Sequence, residues 1–227
     1  MLPISPSTPL RVVPALDRVI AARALALALR NQDPPAPAPA IAAAEAATEA
    51  AQSALEALGE AAPVYLVKPA SRRERIDFHA AMLEAGINYQ DDGKMRAVLR
   101  DAVRGLADTE ADALLAIVDG VDALASSGEL VPDAMREQLR DIEEAAIAGW
   151  PAYARVIAAR TRWHATAPLI AAQRFLVGWE NVAAPFRRLG GVVPDETLDQ
   201  IPDDDVRAIG QAALAAFGVS ETERKNS

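Results

Sequence analysis

The chain predicts an all-α fold: a compact helical domain of about six or seven helices with at most one short β segment. An N-terminal helix and a Pro/Ala-rich spacer precede it. Three observations carry this reading. Of the 227 residues, 51% are hydrophobic, enough to supply a core, and most of these are Ala, Leu and Val, with only 4% aromatic. Ala and Leu lead the helix scale, because a helix costs them little side-chain freedom. Apolar positions recur at three- and four-residue spacing in segment after segment, with Gly or Pro between the segments.

The elements follow in order. Residues 1–11 carry Pro3, Pro6 and Pro9 and read as a disordered or extended lead-in. From Val13 the positions Leu16, Ile20, Ala24 and Leu27 keep helical spacing, with Pro14 acceptable in the first turn. The run of Pro and Ala at 33–39 favours a polyproline II spacer. Residues 41–58 have strong helix propensity but few large side chains to bury, so this helix is marginal alone or packs on a partner. The stretch 64–67 (VYLV) is the one convincing strand, ended by Pro69. Ser71 and Glu74 then form a capping box, in which each side chain satisfies a backbone N–H of the other.

That capped helix carries Ile76, Phe78, Met82 and Leu83 and stops at Gly86. A second helix follows with Met95, Val98, Leu99, Ala102, Val103 and Leu106 inward. A third begins near Asp108 and Thr109 and ends at Gly128, and Val131-Pro132-Asp133 starts a fourth. A long fifth helix runs from Gly149-Trp150-Pro151 toward Arg174, and Pro168 inside it requires a kink or a split. After an aromatic loop at 175–186, Pro194-Asp195-Glu196 opens a short helix, and Asp203 to Asp205 open a last one that Gly218 closes. The domain division is therefore 1–62 as helix plus extension, 63–218 as helical domain and 219–227 as a frayed polar tail.

Charge and composition narrow the function. A net charge of −9 and a pI near 4.8 argue against nucleic-acid binding, which needs a basic footprint, and against adsorption to anionic membranes. No run is long and apolar enough to span a bilayer. Residues 19–29 faintly imitate a signal peptide, but Arg23 interrupts them and Asp17 spoils the basic flank, so the cytoplasm is expected. Without Cys there is no thiol chemistry, disulfide or Cys-based metal site, and His79 and His164 are the only histidines. The Asp203–Asp205 triplet reads as helix capping, since no second acidic motif pairs with it. Asp91-Asp92-Gly93-Lys94 reads as a turn before a helix, without the ligand spacing of a calcium loop. No nucleophile elbow is present, and no cofactor is expected.

Two features leave alternatives open. Arg96, Arg100 and Arg104 form an i, i+4, i+8 row. Together with Arg72, Arg73 and Arg75 they are either a solvated face paired with Asp77, Glu84 and Asp101, or a basic patch for an acidic helical partner. Phe175, Trp179 and Phe186 either lid the core or anchor another chain.

Two blocks together resemble a known family. One is VYLVKPASRRERIDFHAAMLEAGI followed by DDGKMRAVLRDAVRGL; the other is FLVGWENVAAPFRRLGGVVPDETLDQIPDDDV. A helix leading into a G-W-E/K-x-V phrase, then P-F, then a short acidic helical run is similar to tail assembly chaperones of long-tailed bacteriophages. The phrase falls on Gly178, Trp179, Val182, Pro185 and Phe186. The Pro/Ala segment before Pro63 has no counterpart in that pattern, and the stretch from Trp179 to Phe186 is tight where many members carry an insertion.

The resemblance implies a non-catalytic protein that works in the host cytoplasm and is absent from the finished virion. It implies binding to the tape measure protein, whose hydrophobic helices it keeps soluble, and recruitment of tail-tube protein. A frameshifted longer form of the chain is a further implied partner, for which Lys225-Asn226 fits an A-rich slippery codon pair. A homo-oligomer is also compatible. The expected protein-binding residues are Phe175, Trp179, Pro185 and Phe186 as anchors, with Arg96, Arg100 and Arg104 as a polar rim. The rival within this reading is a structural phage component such as a head–tail connector.

Overall fold

The structure is a computed structural model that describes residues 8–32, 36–107 and 109–224, of which 218–224 as backbone alone. It is mostly helical (72%), with nine helices and a small three-stranded sheet among the described residues. The strands and helices are, in order, β1 (Leu10–Val12), α1 (Pro14–Asn31), α2 (Ala38–Leu58), β2 (Val64–Val67), α3 (Arg72–Glu84), α4 (Asp92–Leu106), α5 (Ala111–Ser127), α6 (Asp133–Gly149), α7 (Pro151–Phe175), β3 (Leu176–Glu180), α8 (Asp195–Leu198) and α9 (Asp203–Arg224). They form two compact units, one from Met1–Met82 with Thr166–Ser227 and one from Leu83–Ala165. α7 gives its first part to the second unit and its last part to the first.

The first unit is built on an antiparallel sheet of order β1-β2-β3. β2 is the middle strand, which is why VYLV is apolar on both faces rather than alternating. Leu10 pairs with Val67 and Val12 with Tyr65 on one side; Val64 pairs with Glu180 and Tyr65 with Trp179 on the other. Phe78 of α3, Phe175 at the end of α7 and Phe217 of α9 form an aromatic cluster in this unit, their rings meeting at 5.2–6.3 Å between centroids. Ile209, Val193 and Leu176 are fully buried in the same unit. The capping box forms: Ser71 N–H donates to the Glu74 carboxylate at 3.0 Å and Glu74 N–H donates to Ser71 Oγ at 3.3 Å. Burial pushes the Glu74 carboxyl up, but the Lys68 ammonium and the two Ser71 donors outweigh it and bring the group down to about 2.

The second unit is a bundle of α4, α5 and α6 closed by the start of α7. Leu99, Val103, Val118, Val121, Leu139, Ile142 and Tyr153 form its core. α4 begins at an Asp91 side-chain cap on Lys94 N–H (2.7 Å), and α5 ends on Gly128 in the left-handed conformation, where no Cβ opposes the turn.

Several expectations need correction. Residues 10–12 are a strand paired with the sheet, so the N-terminal segment is tied into the first unit instead of preceding a separate domain. The spacer is shorter than expected, because α2 already begins at Ala38 with Pro39 in its first turn. The stretch read as an aromatic loop begins with β3, so the sheet has three strands instead of one isolated segment. Of the kink or split expected at Pro168, the split is not seen, because α7 runs through it. α9 runs past Gly218 to Arg224, while Lys225 and Asn226 lie outside the described residues.

A braced aromatic loop as candidate functional site

β3 delivers the chain into residues 181–193, a loop of the same unit, and side chains tie this loop down at each stage. Asn181 takes a left-handed conformation (φ 59°), which its short amide side chain tolerates better than most. Its Nδ2 donates to the carbonyls of Glu60 (2.8 Å) and Ala62 (3.0 Å). Trp179 Nε1 donates to the Ala184 carbonyl at 2.9 Å. Its ring meets Tyr65 edge-on at 6.4 Å and Phe186 at 5.1 Å. Arg188 Nη2 donates to the Arg174 carbonyl at 2.7 Å and also reaches the Gly191 carbonyl. Gly190 and Gly191 both have positive φ (59° and 83°), which sets the tight turn between Leu189 and Val192. Val193 N–H then donates to the Gln173 carbonyl at 2.8 Å, anchoring the end of the loop on α7.

The result is a loop braced at several backbone points, whose outer surface is largely apolar, with Asn181 and Arg187 its exposed polar side chains. Trp179 and Phe186 are half-buried, Pro185 is exposed, and Leu189 is 70% exposed. Such a surface loses little conformational freedom when something docks on it.

The expected site residues separate. Trp179, Pro185 and Phe186 belong to the braced loop. Phe175 does not: it is 1% exposed and packed between Phe78 and Phe217, so it is a core residue and offers a partner no surface. The arginines belong to the other unit, and two of them are already engaged. Arg96 bonds Asp122 (3.0 Å) and Glu143 (2.8 Å), and Arg100 bonds Asp119 and Asp122 (each 2.7 Å). These pairs tie α4 to α5 and α6, where the sequence had suggested Asp77 and Glu84 as partners or a basic rim. Arg104 alone keeps an open position, paired only with Asp101 on its own helix.

The acidic triplet also divides. Asp203 and Asp204 are exposed, whereas Asp205 is buried and accepts hydrogen bonds from Tyr65 Oη (2.8 Å) and Arg18 Nη1 (3.4 Å). Burial, with Asp205 adding to it, holds the Tyr65 hydroxyl above the usual tyrosine range. The network joins β2, α1 and α9. His79 and His164 are exposed beside Phe78 and Trp163 respectively. Among the described residues no cluster of three acidic or histidine side chains could hold a metal ion, and no helix is long and apolar enough to cross a membrane.

One surface was missed in the sequence. The row Leu16, Ile20, Ala24, Leu27 that marks α1 as a helix is not the row the fold buries; Ala15 and Val19 go inside, and the row itself stays exposed. The signal was present in the α2 sequence, whose alanines give a neighbouring helix little to cover a leucine row with.

Comparison of the chain with protein-family models, curated proteins and solved structures finds no match.

Proposed function

We propose that this chain is a tail assembly chaperone of long-tailed bacteriophages, acting stoichiometrically to keep the hydrophobic helices of the tape measure protein in solution and helping to recruit tail-tube protein. The braced aromatic loop supports the reading. The opening of the first block and the start of the second are neighbours: VYLV forms β2, LVGWE forms β3, and the two strands pair directly. The P-F of the phrase then sits in the fixed loop, with Pro185 exposed and Phe186 against Trp179. An apolar, pre-set surface on a chain of charge −9 suits a protein that captures hydrophobic helices while its own charge keeps the complex dispersed. The reading assigns no reaction and no cofactor, and its place of work is the host cytoplasm.

The test is co-expression with the tape measure protein encoded in the same genome, followed by pull-down from the soluble fraction. The tape measure protein should become soluble and co-purify. Pro185→Asp and Phe186→Ala should each weaken the capture at least several-fold while leaving the melting curve within a few degrees of wild type. A tape measure protein that stays insoluble, together with this chain in purified particles, would replace the chaperone by a structural component such as a head–tail connector.

A further inference from the structure

We infer that the α1–α2 hairpin is a self-association surface on which a second copy of this chain seats its own hairpin. The inference is independent of the phage reading and begins with α1. Leu16, Ile20 and Leu27, spaced as one helical row, are 43%, 56% and 59% exposed. Helices in water are held by covering such a row, not by propensity. A different flank of α1 is already used: Pro14, Ala15 and Val19 are buried, and Arg18 reaches the buried Asp205. Within α2 only Ala44 is buried, so the hairpin is covered on one side and open on the other.

The open side is a groove of about 410 Å³ with walls of opposite sign. Arg23, Leu27 and Arg30 stand on the α1 wall; Glu45, Thr48 and Glu49 stand on the α2 wall. Over the whole helices the contrast persists. α1 holds Arg18, Arg23 and Arg30 against Asp17, a net +2, and α2 holds Glu45, Glu49 and Glu56 with no cation, a net −3. Inside one hairpin Arg30 pairs with Glu45 and Arg23 bonds Gln52, which leaves Glu49 facing the groove.

A face basic along one edge and acidic along the other is complementary to itself about a two-fold axis parallel to the helices. That operation lays α1 of each copy over α2 of the other, antiparallel as in the hairpin itself. It closes a four-helix bundle. The leucine row then rests on the alanines of the facing α2, whose small side chains permit close approach, and Arg23 comes opposite the partner's acidic edge. With α1 about 27 Å long and two helices about 20 Å across, the footprint is on the order of 500 Å² per copy. That total of roughly 1,000 Å² lies at the low end of specific interfaces, so the dimer is reversible and concentration-dependent.

Sedimentation of the full chain over a concentration series reads this directly. A monomer–dimer equilibrium is expected, and Ile20→Glu with Leu27→Glu should abolish it while far-UV circular dichroism shows the helices retained. Arg23→Glu alone and Glu49→Arg alone, both at exposed sites, should each weaken dimerisation roughly ten-fold by turning two attractive contacts repulsive. Mixed one to one, the two variants should dimerise with each other, because each edge again meets its opposite. A chain that stays monomeric at every concentration overturns the inference. So does a dimer that survives both glutamates, or a mixture no tighter than either variant alone.

Discussion

At the scale of a residue, Gly210 shows how packing reverses the sign of an intrinsic preference. A glycine inside a helix is ordinarily less stable than alanine by about 1 kcal/mol, so α9 read alone invites Gly210→Ala as a stabilising change. In the fold, a Cβ at that position would overlap the backbone carbonyl of Pro168. That carbonyl belongs to α7 and cannot rotate away as a side-chain tip could. The two helices would have to separate around Ile209 and Ala213, which are buried beside the contact. Gly210→Ala is therefore expected to destabilise by about 3 kcal/mol or more, the upper end of overpacking costs, as a lowered urea midpoint. A midpoint unchanged or raised would mean that α7 and α9 do not cross this closely.

At the scale of an element, the arginine row of α4 sets the second unit's geometry more than its surface chemistry. Asp122 of α5 is the shared acceptor, bonding Arg96 on one oxygen and Arg100 on the other. Asp122→Ala should cost about 1–3 kcal/mol, since two half-buried guanidinium groups lose a charged partner at once. Arg104→Ala, which breaks only an exposed pair within α4, should cost less than about 1 kcal/mol. Equilibrium urea unfolding of the two variants side by side separates the roles, and equal losses would refute the difference.

The row also shows what the sequence could and could not convey. Its spacing placed the three arginines on one face, because helix periodicity is local. The acceptors of Arg96 and Arg100 sit on α5 and α6, and no local signal names them, whereas Arg104's Asp101 lies three residues away on the same helix. The same limit hid β3: its five residues follow α7 without a turn residue, and only pairing with the distant β2 makes them a strand. The capping box at Ser71 was legible because its two partners are three residues apart. In the aromatic cluster, composition picked out the right stretch. It could not separate Phe175, covered by Phe78 and Phe217, from Phe186, which keeps part of its ring open.

At the scale of the whole molecule, the two units differ in how the chain supplies them. The second is one continuous stretch, Leu83–Ala165, and its core is filled from within: Leu99 and Val103 of α4, Val118 and Val121 of α5, Leu139 and Ile142 of α6, Tyr153 of α7. Its ion pairs close inside the same stretch. The first unit is discontinuous, and its central pieces wait for residues after 165: Tyr65 for Asp205, Phe78 for Phe175 and Phe217, β2 for β3. The excised fragment 83–165 should therefore fold alone as a helical bundle, with a cooperative urea transition of roughly 3–5 kcal/mol, in the range a core of that size supplies. The fragment 1–82 should show no cooperative transition, since it keeps a sheet and an α3 face whose covering elements are gone. Circular dichroism of the two fragments under urea reads both outcomes. A cooperative 1–82, or an 83–165 that melts without a midpoint, would mean that the boundary drawn by packing is not a boundary in stability. The local contacts of the second unit favour fast folding, and the first unit must wait for its last helix, so in the intact chain the bundle should form first.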